Sequence, residues 1–291
     1  MSNSGAKRVV IHEDDVGMSH GANTAFVELS KLGTCSSGSV MVPCPWFPEA
    51  AEIAADPSLD VGIHLTLTSE QKPYRWRPLT APPRVAGLTD DQGYFWPDVP
   101  RARKAAPAAV EAELRAQIEA ALAAGIDPTH FDAHMGTAQM PEFVAISRRL
   151  AQEYRVPMLL VKDLSRYNPA SYAGPLDPAG YDAEIAKAHA AGEPIFEIVF
   201  ETPWARKTDA ETAYRAIFAE IGPGLTFLSM HFNAPGDFEA VNPEGAHIRT
   251  EEYALFRTSR IKEWVREFSI EVIGMRGLRD EMRAKIGSTP N

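Results

Sequence analysis

The sequence predicts an α/β fold, a distorted TIM-like (β/α) barrel folded as a single domain, and three observations carry that expectation. Eight short β-branched or apolar runs alternate with longer stretches of helical period, which is the pattern of βα units on a parallel sheet. The helical stretches each carry one apolar stripe. One long interval, after the third run, breaks the rhythm. At 291 residues the chain could hold two domains, but α/β barrels of about 250 residues are single domains and suit the alternation better.

In chain order, strands are predicted near Arg8 to His12, Ser37 to Val42, Asp60 to Leu67, Thr129 to Met135, Met158 to Lys162, Ile195 to Glu201, Leu225 to Phe232 and Glu271 to Met275. Between them, Val110, Leu114, Ile118 and Leu122, and then Phe143, Ile146 and Leu150, recur every three or four residues, so each set lines one face of a helix. The interval 69–107 has seven prolines and the aromatics Tyr74, Trp76, Tyr94, Phe95 and Trp96. So long a stretch without periodicity reads as an irregular insertion or lid. Trp76, Tyr94 and Trp96 are its candidates for stacking on a substrate. The barrel domain is expected over 8–280, with a disordered tail over 1–7 and a C-terminal tail over 281–291.

Charge excludes one class of partner. The chain has 29 basic and 39 acidic residues, a formal charge of −10, whereas binding a phosphate backbone needs a dense Lys/Arg face. The first seven residues are polar and short, unlike a signal peptide, and no window approaches the roughly 18 apolar residues of a membrane span. A cytoplasmic protein without nucleic-acid or membrane partners is expected. Cys35 and Cys44 are too few for a disulfide framework and read as buried thiols.

The chemistry lies at the strand ends. In Asp60 to Leu67 the aliphatics alternate with Gly62, His64 and Thr66, so His64 points into the barrel if the aliphatics face the outer helices. The same alternation puts His130, Asp132 and His134 on one face and aligns Ser229 with His231. The first strand runs into His12-Glu13-Asp14-Asp15-Val16-Gly17. Adjacent carboxylates repel, and a cation relieves that repulsion. An acid from the first strand with histidines from two others makes a two-His, one-carboxylate site of the catalytic type. On a regular strand Asp14 and Asp15 point to opposite sides, so both serve the site only if the chain turns, which Gly17 permits. His20, His189 and His247 fall on helices or loops and are expected at the surface.

These motifs resemble a known family. Asp14 to Ser19 is similar to the Asp-Asp-Phe-Gly-Leu-Ser segment of the YdjC-like carbohydrate deacetylases, which include the chitooligosaccharide deacetylases. Gly62 to Leu67 resembles their Gly-x-His-Leu-x-Leu strand, and Pro128 to His134 resembles their Pro-Thr-His-x-Asp-Ser-His motif. The match runs in order from about Lys7 to about Asp280. Where the family usually has Asn-Ala before the first motif, this chain has His12-Glu13.

The resemblance implies a TIM-like barrel and a metal-dependent hydrolase of linear amide bonds, removing an N-acetyl group from an amino sugar or oligosaccharide. By position it places the metal ligands on Asp15, His64 and His134, the catalytic base on Asp14 and the general acid on His231. Asp132 and His130 become candidates to orient those ligands from behind. One divalent ion is expected, zinc first, with magnesium, nickel and cobalt as alternatives. The partner is then a small carbohydrate or another acylated small molecule, and a homodimer stays open. Two other functions also stay open: hydrolysis of a different ester or non-sugar amide, and carbohydrate binding without catalysis.

Overall fold

A computed structural model describes residues 5–287, so 1–4 and 288–291 of the expected tails lie outside the described residues. Seven strands form one parallel sheet: β1 (Lys7–Val16), β2 (Ser37–Val40), β3 (Val61–Leu65), β4 (Phe131–Ala133), β5 (Ile198–Glu201), β6 (Gly224–Met230) and β7 (Ile270–Val272). Their order is β4-β3-β2-β1-β6-β5. One edge of β1 pairs with β6 from Lys7 to Glu13. The other edge is shared: β7 takes Lys7 to Val9 and β2 takes His12 onward.

The expected barrel is present, with one correction. Met158 to Lys162 does not form a strand but makes isolated bridges, Met158 to Phe131 on one side and Val161 to Phe196 on the other. The segment still spans the gap between β4 and the start of β5, so the sheet curls round on itself. Its ladder is interrupted because the Tyr181 hydroxyl receives the Val161 N–H at 2.9 Å and donates to the Val161 carbonyl at 2.8 Å, taking the place of strand partners.

From Val9 to Val16 every residue of β1 is buried. The first three are aliphatic and sit in the core; the next four are His12, Glu13, Asp14 and Asp15. Buried ionisable groups in a row are costly unless they are paired or ligated, and they lie at the carboxyl end of the strand, where open α/β sheets bind ligands. The other strand ends and their loops close around them.

The helix Pro107–Ala123 buries Val110, Leu114 and Ile118 as expected, but Leu122 is 40% exposed. A spacing of four advances about 40° beyond a full turn each time, so by Leu122 the stripe has rotated about 120° away from the sheet. The same helix buries Glu113, which accepts from the backbone N–H groups of Leu79 and Thr80 and the Thr80 hydroxyl at 2.6–3.0 Å. That carboxylate fastens the insertion to the barrel. Within 69–107, Trp76, Leu88, Phe95 and Val99 join the main core, and only the short helices Arg84–Ala86 and Val99–Ala102 are regular. The last helix, Met275–Gly287, runs through the first part of the segment expected as a C-terminal tail. Cys35 and Cys44 are free and buried. Among the described residues no helix is long and apolar enough to cross a membrane.

Candidate active site

Asp14 and Asp15 both line one cavity of about 200 Å³ at the carboxyl end of the sheet. A regular strand would send one of them outward, but Asp15 itself adopts the left-handed conformation (φ 64°), and the register against β2 shifts between Glu13 and Val16. Such a conformation is uncommon for a residue with a side chain, and it recurs where the surrounding structure enforces it. Gly17 follows at φ 91°. The turn that Gly17 was expected to permit therefore begins two residues earlier, on the carboxylate that benefits from it.

His64, on β3, is paired in register with Asp132 on β4. His134 comes directly after β4, where Met135 and Gly136 both take positive φ (50° and 65°) and swing the chain away. A Cβ at Gly136 would lie 2.7 Å from the Tyr167 hydroxyl, so the turn needs glycine there. The ligand-capable atoms of Asp15, His64 and His134 lie within 4.8 Å of one another, and all three residues are buried. Asp15 Oδ1 is 3.0 Å from His134 Nδ1 and 3.6 Å from His64 Nε2.

Two observations test whether a cation fits these residues. Asp15 Oδ1 and His64 Nε2 have no hydrogen-bond partner although both are buried, a costly arrangement for a site without an ion between them. The fields agree. Burial pushes the His134 imidazole down, but Glu70 and Asp15 on either side lift it to about 10, so this spot favours positive charge. Burial raises Asp15 too, yet Arg249 and His134 hold it well below the usual carboxylate range. Asp14 goes the other way: burial dominates and pushes it up to about 6. A buried two-histidine, one-carboxylate set with mixed N and O donors suits zinc or another divalent transition metal.

Behind the cluster, Asp132 Oδ1 lies 3.0 Å from His64 Nδ1, and Asp132 Oδ2 accepts from Ser39 at 3.0 Å. His12 Nε2 is 3.1 Å from Asp132 and 3.5 Å from Asp14. His130 shares the predicted face but sits deeper, its ring edge-on to His12 at a centroid distance of 4.9 Å and over Gly62, where a Cβ would come within 2.4 Å. Burial, with His12 adding to it, pushes His130 down to about 3.

The opposite wall carries His231, just after β6. Its Nε2 is 3.8 Å from Asp14 Oδ2, while its Nδ1 lies 2.9 Å from the Thr202 hydroxyl. Thr202 in turn donates to Glu252 at 2.8 Å, and Glu252 also accepts from the His231 backbone N–H and the Tyr214 hydroxyl. Burial, aided by Arg249, keeps His231 well below its ordinary value and therefore neutral. Ser229, the residue aligned with His231, donates to Asp14 Oδ2 at 2.5 Å. Arg249, three residues before Glu252 on the helix Ala246–Phe256, reaches Asp15 Oδ2 at 2.9 Å.

The aromatics of the insertion lie elsewhere than a substrate-stacking role requires. Tyr94 is sandwiched by Arg75 and Arg77, Trp96 bonds the Gly87 carbonyl and faces Arg101, and Trp76 is buried with its indole N–H on the Thr68 carbonyl. None of the three lines the cavity; Tyr167, Tyr172 and Trp204 do. Proline-rich segments lack regular backbone hydrogen bonding, and their aromatics supply the packing instead. His20, His189 and His247 are exposed, as expected.

Sequence reasoning did not find Glu70, Thr202, Trp204, Arg249 or Glu252. His12 had a signal, since period 2 puts it on the same face as Asp14. Arg249 and Glu252 had none, because a charged pair at i, i+3 usually marks a solvated helix face.

Fold and site together define an α/β barrel with buried carboxylates and imidazoles gathered at the carboxyl ends of its strands, in groups that could hold a metal ion. The chain belongs to the YdjC-like protein family, whose model matches residues 8–267. Similar sequences include a carbohydrate deacetylase of Thermus thermophilus, 34% identical over 83% of this chain and 81% of the relative. A carbohydrate deacetylase of Brevibacillus brevis is 36% identical over 52% of this chain and 58% of its own. Among solved structures, a protein of Enterococcus faecalis proposed to cleave cellobiose phosphate superposes with a TM-score of 0.74, covering 94% of this chain and 99% of that one at 21% identity. That likeness supports the fold.

Proposed function

We propose that this protein is a metal-dependent deacetylase that hydrolyses an N-acetyl group from an amino sugar or a short oligosaccharide. The observation that carries the proposal is the convergence of Asp15, His64 and His134, two of them with unpaired buried donor atoms, at a cavity that Asp14, Asp15, His134 and His231 line. Relatives that carry the name carbohydrate deacetylase support the substrate class. Asp15, His64 and His134 would hold one divalent ion, zinc by its imidazole-rich set. When bound there, such an ion polarises an amide carbonyl and makes water a better nucleophile.

The chain's own groups handle the protons. Asp14, with Oδ2 held by Ser229, takes a proton from the attacking water. The same carboxyl lies 3.8 Å from His231 Nε2, a gap that a bridging water would close, and by that relay the proton reaches this neutral imidazole and then the departing amine, which cannot leave as an anion. Thr202 and Glu252 fix the His231 ring with Nδ1–H turned away from the cavity and Nε2 toward it. Asp132 orients His64 through its second nitrogen. Trp204 and Tyr172 line the cavity and would give a pyranose apolar contact.

The test is an acetate-release screen over N-acetylglucosamine, its oligomers, simple acyl amides and esters, with zinc, magnesium, nickel and cobalt added in turn. Release from an amino sugar that depends on the metal is expected. Hydrolysis confined to esters or non-sugar amides would move the substrate class, and metal binding without any release would make the protein a sugar binder.

A further inference from the structure

Glu70 is the first charged residue of the insertion, and the proposed reaction leaves it without a role. Its Oε2 lies 2.8 Å from His134 Nε2, while the other ring nitrogen, Nδ1, faces Asp15 Oδ1 at 3.0 Å. His134 Nε2 is therefore committed to Glu70, while Nδ1 faces the cluster. Only Nδ1 is near the atoms of Asp15 and His64, so Nδ1 is the donor available to a metal and Nε2 must carry the hydrogen. Glu70 is the acceptor of that hydrogen. Gln71 steadies the carboxylate from the other side, its Nε2 donating to Glu70 Oε1 at 2.7 Å.

Two further contacts tie the same segment to the cluster. The Trp76 ring stands edge-on to the His134 ring at 5.8 Å, and the Tyr74 hydroxyl donates to the carbonyl of Met18, three residues after Asp15, at 2.7 Å. The insertion thus touches two of the three elements that carry the proposed ligands.

We infer that Glu70 is a positioning residue: it sets the tautomer and orientation of His134 and couples the order of the insertion 69–107 to occupancy of the metal site. The inference rests on Asp15, His64 and His134 being the ligands. A carboxylate behind a ligating imidazole fixes its tautomer and raises its basicity, and losing such a partner typically weakens metal binding by about 10- to 100-fold. Coupling of this kind is reciprocal, so a metal that binds better when the insertion is in place must also hold the insertion in place.

Zinc affinity is measured by competition with a chromophoric chelator for the unaltered chain, Glu70→Gln and Glu70→Ala, with circular dichroism of the metal-free chains as a check on folding. In parallel, backbone hydrogen exchange over 69–107 is followed with and without zinc. Glu70→Ala should bind zinc about 10- to 100-fold more weakly, and zinc should protect its insertion less than in the unaltered chain. Glu70→Gln, whose amide oxygen still accepts from Nε2–H without the charge, should fall between. Should Glu70→Ala fail to fold, Gln71→Leu, which removes the brace, should still weaken zinc binding. Unchanged zinc affinity in the folded variants would overturn the role of Glu70 and leave the ligand set standing. A drop in coordination number in the cobalt-loaded Glu70→Gln protein, read by X-ray absorption, would make Glu70 a ligand, which also overturns it. An unaltered chain that binds no zinc or cobalt would sink the ligand set itself, and the role of Glu70 with it.

Discussion

The two walls of the cavity are built on different principles. On the wall formed by β1, β3 and the turn after β4, polar atoms are left waiting: Asp15 Oδ1, Asp14 Oδ1 and His64 Nε2 are buried without hydrogen-bond partners. On the wall formed by β6, the loop after β5 and the helix Ala246–Phe256, the groups are satisfied. His231 is held by Thr202, Glu252 accepts three donors, and Arg249 meets Asp15. Unpaired buried atoms persist where a ligand is to complete them, whereas a closed network fixes one geometry. On the proposed function the difference separates binding from orientation: the first wall would be filled by the ion and the second would aim a single imidazole.

Substitutions can test that division, beginning with the largest expected effect. Replacing His64 or His134 by Ala should remove the metal and abolish hydrolysis together, as read by elemental analysis beside acetate release; retained metal would break the ligand assignment. Asp14→Asn should leave metal content intact while lowering turnover by about 10² to 10⁴, the usual contribution of a general base. Full activity in that variant would remove Asp14 from proton transfer. Glu252→Gln acts from the other wall and two hydrogen bonds away. It should lower kcat by about tenfold, close to 1.4 kcal/mol of barrier, with KM and metal content unchanged. If metal content fell instead, the two walls would not be separable.

The first wall was legible in the sequence and the second mostly was not. Asp14, His64 and Asp132 lie on strands with period 2 and His134 directly follows one, so a few neighbouring residues settle which face a side chain takes, while Asp15 joins them only through its left-handed backbone. His231 was legible for the same reason, through its alignment with Ser229. Thr202, Arg249 and Glu252 belong to a loop and a helix distant in the chain, and their burial follows from where that helix docks. Trp76, Tyr94 and Trp96 erred in the other direction, since aromatic composition does not tell a sugar platform from the packing of a proline-rich loop.

Alternation of strand and helix runs and three strand-end motifs determined the parallel barrel and the residues of the central cluster, because each depends on local periodicity. Other features were decided only by the tertiary structure. The left-handed turn at Asp15 brings both carboxylates to one side. The Tyr181 hydroxyl interrupts the strand expected at Met158 to Lys162. Glu70 reaches His134 across 64 positions of chain. Each of these depends on contacts between segments far apart in the chain, and a backbone torsion or hydrogen-bond partner imposed by such contacts leaves no trace in the periodicity of either segment.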